Sequence, residues 1–382
     1  MKLPIGIVGA GTMGAGVAQQ AAMAGHEVTL VDVNEQALRK SQSLIEKNLH
    51  RLAEKKQHTP EQAQASFGRI YFSHEVNALQ DSRMVVEAII EDLGIKCKLF
   101  QQLESIVADD CILASNTSSL SINAMASSCS KPNRFIGLHF FNPVPLMPLV
   151  EHIPALETEQ KVLETTLEWM NQWGKCSVVA KDTPGFIVNR IARPYYSEAL
   201  RIYEEGIADF ATIDQAMTEI HGFKMGPFAL MDFIGNDINY AVTKSVWEAC
   251  FFEPRYKPSH TQRNLVLANW FGRKSGRGFY NYSQELETSQ VHDKLLLTTI
   301  ANRILFLLIN EAVDAYYFNV ATKDDIELAM TKGVNYPNGL LQWAVELGIN
   351  HCMEGMENLY AHYKEDRYRP SPGFRKLIAN NC

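Results

Sequence analysis

The seven cysteines of this 382-residue chain include no C-x-x-C pair, and their number is odd. That spacing argues against a zinc site and a disulfide framework, and predicts the reduced thiols of a cytoplasmic protein. Basic charge is also short: 36 Lys and Arg face 43 Asp and Glu, for a net charge of −7, so no broad basic face is offered to nucleic acid. No apolar run approaches the roughly 20 residues needed to cross a bilayer. The first strand pattern opens a few residues after Met1, which predicts no leader peptide and no membrane span. What remains is 46% hydrophobic and 21% charged, ordinary for a globular protein and long enough for two or three domains with their own cores.

The first 32 residues are the most informative. An apolar strand, Ile5 to Val8, runs into Gly9-Ala10-Gly11-Thr12-Met13-Gly14, an alanine-rich helical stretch follows, and a second apolar run, Val28 to Val31, ends on Asp32. G-x-G-x-x-G between a strand and a helix, with an acid after the next strand, is the pattern of a dinucleotide site. Gly9 permits the tight turn, Gly11 the approach of a pyrophosphate, and Gly14 close packing of the helix on the sheet. The N–H groups at the helix start, around Thr12 and Met13, favour a phosphate. A carboxylate at Asp32 accepts from a ribose diol and repels a 2′-phosphate, which selects NAD over NADP.

Further strand candidates lie at Ile70–Phe72, Met84–Ile89, Cys111–Ala114, Phe135–Phe140, Leu149–Ile153 and Ser177–Val179, with helical patterns at Glu35–Lys56, Lys96–Val107 and Glu159–Trp173. The alternation predicts a doubly wound α/β domain over 1–183, with a mostly parallel sheet. Past Pro184-Gly185 helical periodicity takes over, and a polar segment, Ser283 to Gln290, reads as a linker. The helical part repeats itself at one constant offset: Asn189-Arg190-Ile191 returns as Asn302-Arg303-Ile304, Glu198-Ala199 as Glu311-Ala312, and Ala216-Met217-Thr218 as Ala329-Met330-Thr331. We read two tandem all-α modules, 184–282 and 291–382.

Four later places carry candidate chemistry. Ser115-Asn116-Thr117-Ser118-Ser119 follows a strand, where an open parallel sheet binds ligands; the same string also serves as a helix cap. His139 ends an apolar strand before the proline-bearing turn from Asn142 to Pro145. Glu151 sits inside the apolar run Leu149–Ile153, where a carboxylate is costly unless paired. A turn at Asn142–Pro145 would fold the second strand back and bring Glu151 to His139, so that one imidazole nitrogen is held and the other faces substrate. The structural alternative is a buried ion pair without a catalytic role. Last, Asn189 falls one turn into the helix that follows Pro184-Gly185.

These segments, in this order, resemble the L-3-hydroxyacyl-CoA dehydrogenase family. The resemblance spans about Lys2 to Tyr282 and includes Gly-Leu-His-Phe-Phe-Asn-Pro-Val-Pro from Gly137, Lys181 to Phe186, Gly226-Pro227-Phe228 and Lys274 to Tyr280; the second module resembles the extra copy of tandem members. It implies a Rossmann-type domain that uses NAD to oxidise a 3-hydroxyacyl-CoA, in a cleft between that domain and the first helical module. His139 would be the acid/base, Glu151 its orienting partner, and Ser118 and Asn189 would bind the reacting oxygen. Glu91, Lys96, Asn116, Asn142 and Lys274 would contact the cofactor. Arg51 and Lys55, one helical turn apart, would meet coenzyme A phosphates. Pro148 departs from the family, standing where many members carry a basic residue.

The acyl group stays open between short acyl, 3-hydroxyadipyl and longer chains. A free 3-hydroxyacid dehydrogenase and an inactive nucleotide-binding relative are the competing readings. The duplication predicts a pseudo-dimer within one chain, either monomeric or a homodimer through another surface, in which Asn302 is catalytically idle.

Overall fold

The structure, a computed structural model, describes residues 3–284 and 290–379, so part of the expected linker, 285–289, lies outside the described residues. The chain divides into two compact units, Met1–Thr183 and Pro184–Cys382.

In the first unit the strands are β1 (Ile5–Val8), β2 (Val28–Val31), β3 (Ile70–Ser73), β4 (Met84–Glu87), β5 (Ile112–Ser115), β6 (Phe135–Phe140), β7 (Leu149–Pro154) and β8 (Cys176–Val179). They form one sheet in the order β3-β2-β1-β4-β5-β6-β7-β8. Every adjacent pair is parallel except β6 and β7, which run antiparallel. Helices α1 (Thr12–Met23), α2 (Glu35–Glu54), α3 (Pro60–Gly68), α4 (Leu93–Glu104), α5 (Ile122–Ala126) and α6 (Gln160–Gln172) connect them. The central strands read as continuous apolar runs because helices cover both faces of a parallel sheet. Ile5, Ile7, Leu30, Val85, Val86 and Leu113 have no exposed surface.

Local chemistry sets the ends. Asn34 caps α2 by accepting from the N–H groups of Gln36 and Ala37, and Thr59 with Gln62 forms a capping box on α3. Gly9, at φ +106°, turns the chain from β1 into α1. A Cβ on Gly14 would stand 1.8 Å from the Gly9 carbonyl oxygen, so only glycine lets α1 start against the strand. Strand predictions agree with the structure to within a residue or two. Helix α4 begins earlier than Lys96, at Leu93, because Asp92 caps it through the Ile95 N–H. Short α3 and α5 were not expected; their few residues carry too little periodicity.

The second unit holds α7 (Val188–Ile191), α8 (Arg193–Glu204), α9 (Phe210–His221), α10 (Pro227–Ile234), α11 (Asn236–Ala249), α12 (His260–Leu267), α13 (Lys294–Tyr317), α14 (Lys323–Leu328), α15 (Leu340–Leu347), α16 (Ile349–Tyr363) and α17 (Gly373–Ala379). One contact recurs at the offset of the sequence repeat. Asp214 accepts from the Phe228 and Ala229 N–H groups at the start of α10, and Glu327 accepts from Leu341 and Gln342 at the start of α15. Each acid thereby satisfies orphan donors at a helix start. One difference stands out: the first copy breaks into α7 and α8 at Ala192, just before Pro194, whereas the second copy runs unbroken as α13. Proline supplies no N–H to continue the first.

Helix α13 is, among the described residues, long and apolar enough to cross a membrane, which the search for apolar runs did not anticipate. In this fold 78% of its most apolar window is buried. Its charges are absorbed by the ion pairs described below, and it is the core helix of the second unit.

Candidate active site

The carboxyl ends of β1, β2 and β4 open on a cavity of about 780 Å³ lined by Gly9, Gly11, Thr12, Met13, Asp32 and Ile90, among others. Asp32 Oδ2 accepts from the Ala10 N–H at 2.7 Å and Oδ1 from the Asn34 N–H at 2.8 Å. The acid therefore fixes the glycine loop and presents its charge at the cavity. A Cβ built on Gly11 meets nothing within 4 Å, so the space beside the loop suits a pyrophosphate at the start of α1.

At the end of β4, Glu87 is fully buried, a residue the sequence reading passed over. Its Oε1 lies 2.5 Å from Lys96 Nζ, and its Oε2 accepts from Ser115 Oγ at 2.6 Å. Lys96, 1% exposed, also reaches Glu91 at 3.2 Å. Glu91 accepts from Thr117 Oγ1 at 2.5 Å, the Ser118 N–H at 3.1 Å and Ser119 Oγ at 3.2 Å. Burial opposes its charge, but Lys96 and these donors outweigh it and hold its carboxyl below the ordinary value. One ion cluster thus shapes the loop that carries Ser118. An acid that ends β4, level with Val31 at the end of β2, was the available signal for Glu87.

His139 and Glu151 face each other in the β6–β7 register. The His139 Nδ1–H donates to Glu151 Oε2 at 2.5 Å, with His139 5% exposed and Glu151 fully buried. The turn between the strands contains a cis Asn142-Pro143 bond. It is held by Lys175, whose buried ammonium donates to the carbonyls of Val144 and Met147; burial pushes that ammonium down to about 8. Asn116 Oδ1 accepts from the Phe140 N–H at 2.8 Å, tying the Ser118 loop to the histidine strand. Pro148 enters β7, and its carbonyl accepts from the Cys176 N–H.

Arg51 and Lys55, at the end of α2, line a cavity of about 320 Å³ together with Asn48, Pro143 and Leu146. In the second unit, the Asn189 carbonyl on α7 accepts from Arg193 Nε at 2.9 Å. Lys274 pairs with Asp237 at 2.6 Å. The first unit therefore brings together Ser118, Asn116, His139 and Glu151, with Glu91 and Lys96 behind the loop.

A strand-to-helix glycine loop answered by Asp32, on a sheet that also carries a buried His–Glu pair, defines a dinucleotide-dependent dehydrogenase. Residues 4–183 match the family model described as 3-hydroxyacyl-CoA dehydrogenase, NAD binding domain, and the model for the C-terminal domain of that enzyme matches 185–282 and 300–382. The chain belongs to the 3-hydroxyacyl-CoA dehydrogenase family, NAD-dependent oxidoreductases. It is 35% identical to the 3-hydroxyadipyl-CoA dehydrogenase of Escherichia coli K12, covering 96% of this chain and 95% of the relative. It is 43% identical to the human mitochondrial hydroxyacyl-coenzyme A dehydrogenase over 72% of this chain and 90% of that one. A crystal structure of 3-hydroxybutyryl-CoA dehydrogenase from E. coli K12 superposes with a TM-score of 0.94 at 34% identity, covering 100% of this chain and 99% of the other.

Proposed function

We propose that the chain reversibly oxidises (S)-3-hydroxyacyl-CoA to 3-oxoacyl-CoA, with short acyl groups such as 3-hydroxybutyryl, and that His139 is its general acid/base oriented by Glu151. The observation that carries this reading is the 2.5 Å contact between His139 Nδ1 and Glu151 Oε2. A buried carboxylate fixes the tautomer and plane of the ring, so that Nε2 is the nitrogen that takes the proton of the 3-hydroxyl, and returns it in the reverse direction. Ser118 and Asn189 donate to the reacting oxygen and stabilise its alkoxide character. Bound NAD would supply the hydride acceptor for C3. Gly9, Gly11, Thr12, Met13 and Gly14 would hold its pyrophosphate and Asp32 its adenosine ribose, and Glu91, Lys96, Asn116, Asn142 and Lys274 would supply further cofactor contacts. Arg51 and Lys55 bind the phosphates of coenzyme A, a reading supported by the cavity they share with the Pro143–Leu146 turn.

A second reading, 3-hydroxyadipyl-CoA, is favoured by one observation: a relative that bears that name matches along 96% of this chain, second module included. The experiment is a kcat/KM series, followed at the NADH absorbance band, over acyl-CoAs of increasing length, with and without a terminal carboxylate, and over free 3-hydroxybutyrate. Turnover of the thioesters alone supports the proposal. Preference for the free acid, or no turnover of any substrate, overturns it. We also propose that the second module takes the place of a partner's helical domain, giving a pseudo-dimer within one chain that is either monomeric or a homodimer through another surface. Light scattering decides between the two, and loss of activity in Asn302→Ala without loss of fold would count against the pseudo-dimer.

A further inference from the structure

The two helical modules exchange buried ion pairs in a reciprocal pattern. Arg190 of the first module donates through Nε to Glu311 of the second at 2.8 Å, and Arg303 of the second donates through Nε to Glu198 of the first at 2.6 Å. Each glutamate is covered by an Arg-Tyr pair from its partner arginine's side of the repeat or the matching turn. Tyr256 donates its hydroxyl to Glu311, and Arg255 stands 3.5 Å away. Tyr368 donates to Glu198 at 2.8 Å, and Arg367 does so at 2.9 Å. Both glutamates are essentially unexposed.

The arginines anchored in this way are not equivalent. Arg303 lies inside the 24-residue helix α13, whose backbone ladder fixes it. Arg190 lies in α7, four residues long. A single turn has almost no intrinsic stability. It follows Gly185 at φ +77° and the buried Phe186 at φ +47°, and it ends where Pro194 interrupts the ladder. The direction of α7 is therefore set by what holds its side chains and carbonyls. Arg193 holds the Asn189 carbonyl, and Glu311, assisted by Asp314 at 3.5 Å, holds Arg190.

We propose that Glu311 of the second module is a positioning residue for the reaction: through Arg190 it sets the one-turn helix that presents Asn189 to the substrate oxygen. The second module thereby contributes to turnover, beyond filling the place of a partner. This rests on the reading of Asn189 as a ligand of that oxygen. Glu198 is the internal control, since it has the same chemistry and burial but serves Arg303 beside Asn302.

The test compares Glu311→Gln with Glu198→Gln in the full chain, measuring kcat, KM for acetoacetyl-CoA, NADH affinity and Tm. Positional errors at a reacting centre cost up to about 10²-fold. The expected result is a kcat at least about tenfold lower in Glu311→Gln than in Glu198→Gln, with KM and NADH affinity near wild type in both and similar losses in Tm. Equal kcat in the two variants overturns the proposal. Should either glutamine variant fail to fold, Tyr256→Phe against Tyr368→Phe repeats the comparison with one hydrogen bond removed, the first again expected slower, and equality again overturns. Asn189→Ala separates the levels. If it keeps its kcat, the reading of Asn189 falls and this inference with it. If it loses kcat while the paired variants match, only the inference falls.

Discussion

His139 and Glu151 are direct cross-strand partners whose side chains meet at 2.5 Å. On one face of an antiparallel pair, opposed residues are near neighbours, and a one-residue slip would send the two side chains to opposite faces. The pairing is thus built into the hairpin register. His139→Ala is expected to lower kcat by about 10²–10⁴-fold and to leave NADH affinity unchanged. Glu151→Gln keeps the shape but removes the charge; it should lower kcat and alter the pH–rate profile. Steady-state kinetics over pH and fluorescence titration with NADH check both. A wild-type profile in Glu151→Gln would leave the glutamate a structural role only.

Asp32 is expected to set cofactor choice. Its Oδ1 and Oδ2 already accept backbone N–H groups from Asn34 and Ala10, so its charge is held in place at the rim of the cavity. A phosphate charge ~4 Å away would be repelled by roughly 1 kcal/mol in water and about 4 at an effective dielectric of 20. Asp32→Ala removes that repulsion and also loosens the glycine loop. The expected outcome is weaker NADH use and a narrowed NADH/NADPH ratio of kcat/KM. An unchanged ratio would refute the assignment.

Much of this was legible in the chain because it is local. Short continuous apolar runs marked the strands within a residue or two, and Asn142–Pro145 announced the hairpin that joins His139 to Glu151. What was missed depends on distance. Glu87 gains its meaning from Lys96 and Ser115, which only the sheet brings to it. The Arg255-Tyr256 and Arg367-Tyr368 pairs are repeats of each other, but one residue off the constant offset, so a gapless comparison passes over them. Helix α13 hid because Arg303, Glu311 and Asp314 interrupt its apolar run; partners from the first module then compensate those charges.

Arg51 and Lys55 make a prediction about salt. Exposed cations that meet phosphates act through screened attraction, and each such contact is worth about 0.2–1 kcal/mol. Replacing both by Gln should raise the KM for acetoacetyl-CoA by roughly two- to thirtyfold, on the same scale, with kcat little changed. The wild-type KM should climb between low and moderate salt, and the double variant's KM should climb less. Parallel salt curves would show that these side chains are simply solvated.

His152, the neighbour of Glu151 in β7, points to the other face of the sheet and should set the acid limit of stability. It is fully buried. Thr166 spends its hydroxyl proton on the Leu163 carbonyl, so its oxygen accepts from His152 Nδ1–H at 3.2 Å, and the Ser177 hydroxyl, 3.0 Å from Nε2, donates to that nitrogen. This arrangement satisfies a neutral ring, and burial pushes the imidazole down to about 3. Unfolded, the ring titrates near 6.5. Below that pH the unfolded chain takes a proton the folded chain refuses, so stability is full above about 6.5 and declines as pH falls towards 3. The slope approaches about 1.4 kcal/mol per pH unit, or roughly 1.5 kcal/mol between pH 6.5 and 5. His152→Gln removes this proton linkage. Urea unfolding at pH 6.5 and 5 should therefore show the wild type losing more stability than the variant by about that amount. Equal losses would mean that the ring already carries its proton in the folded chain, with Ser177 turned to accept from Nε2.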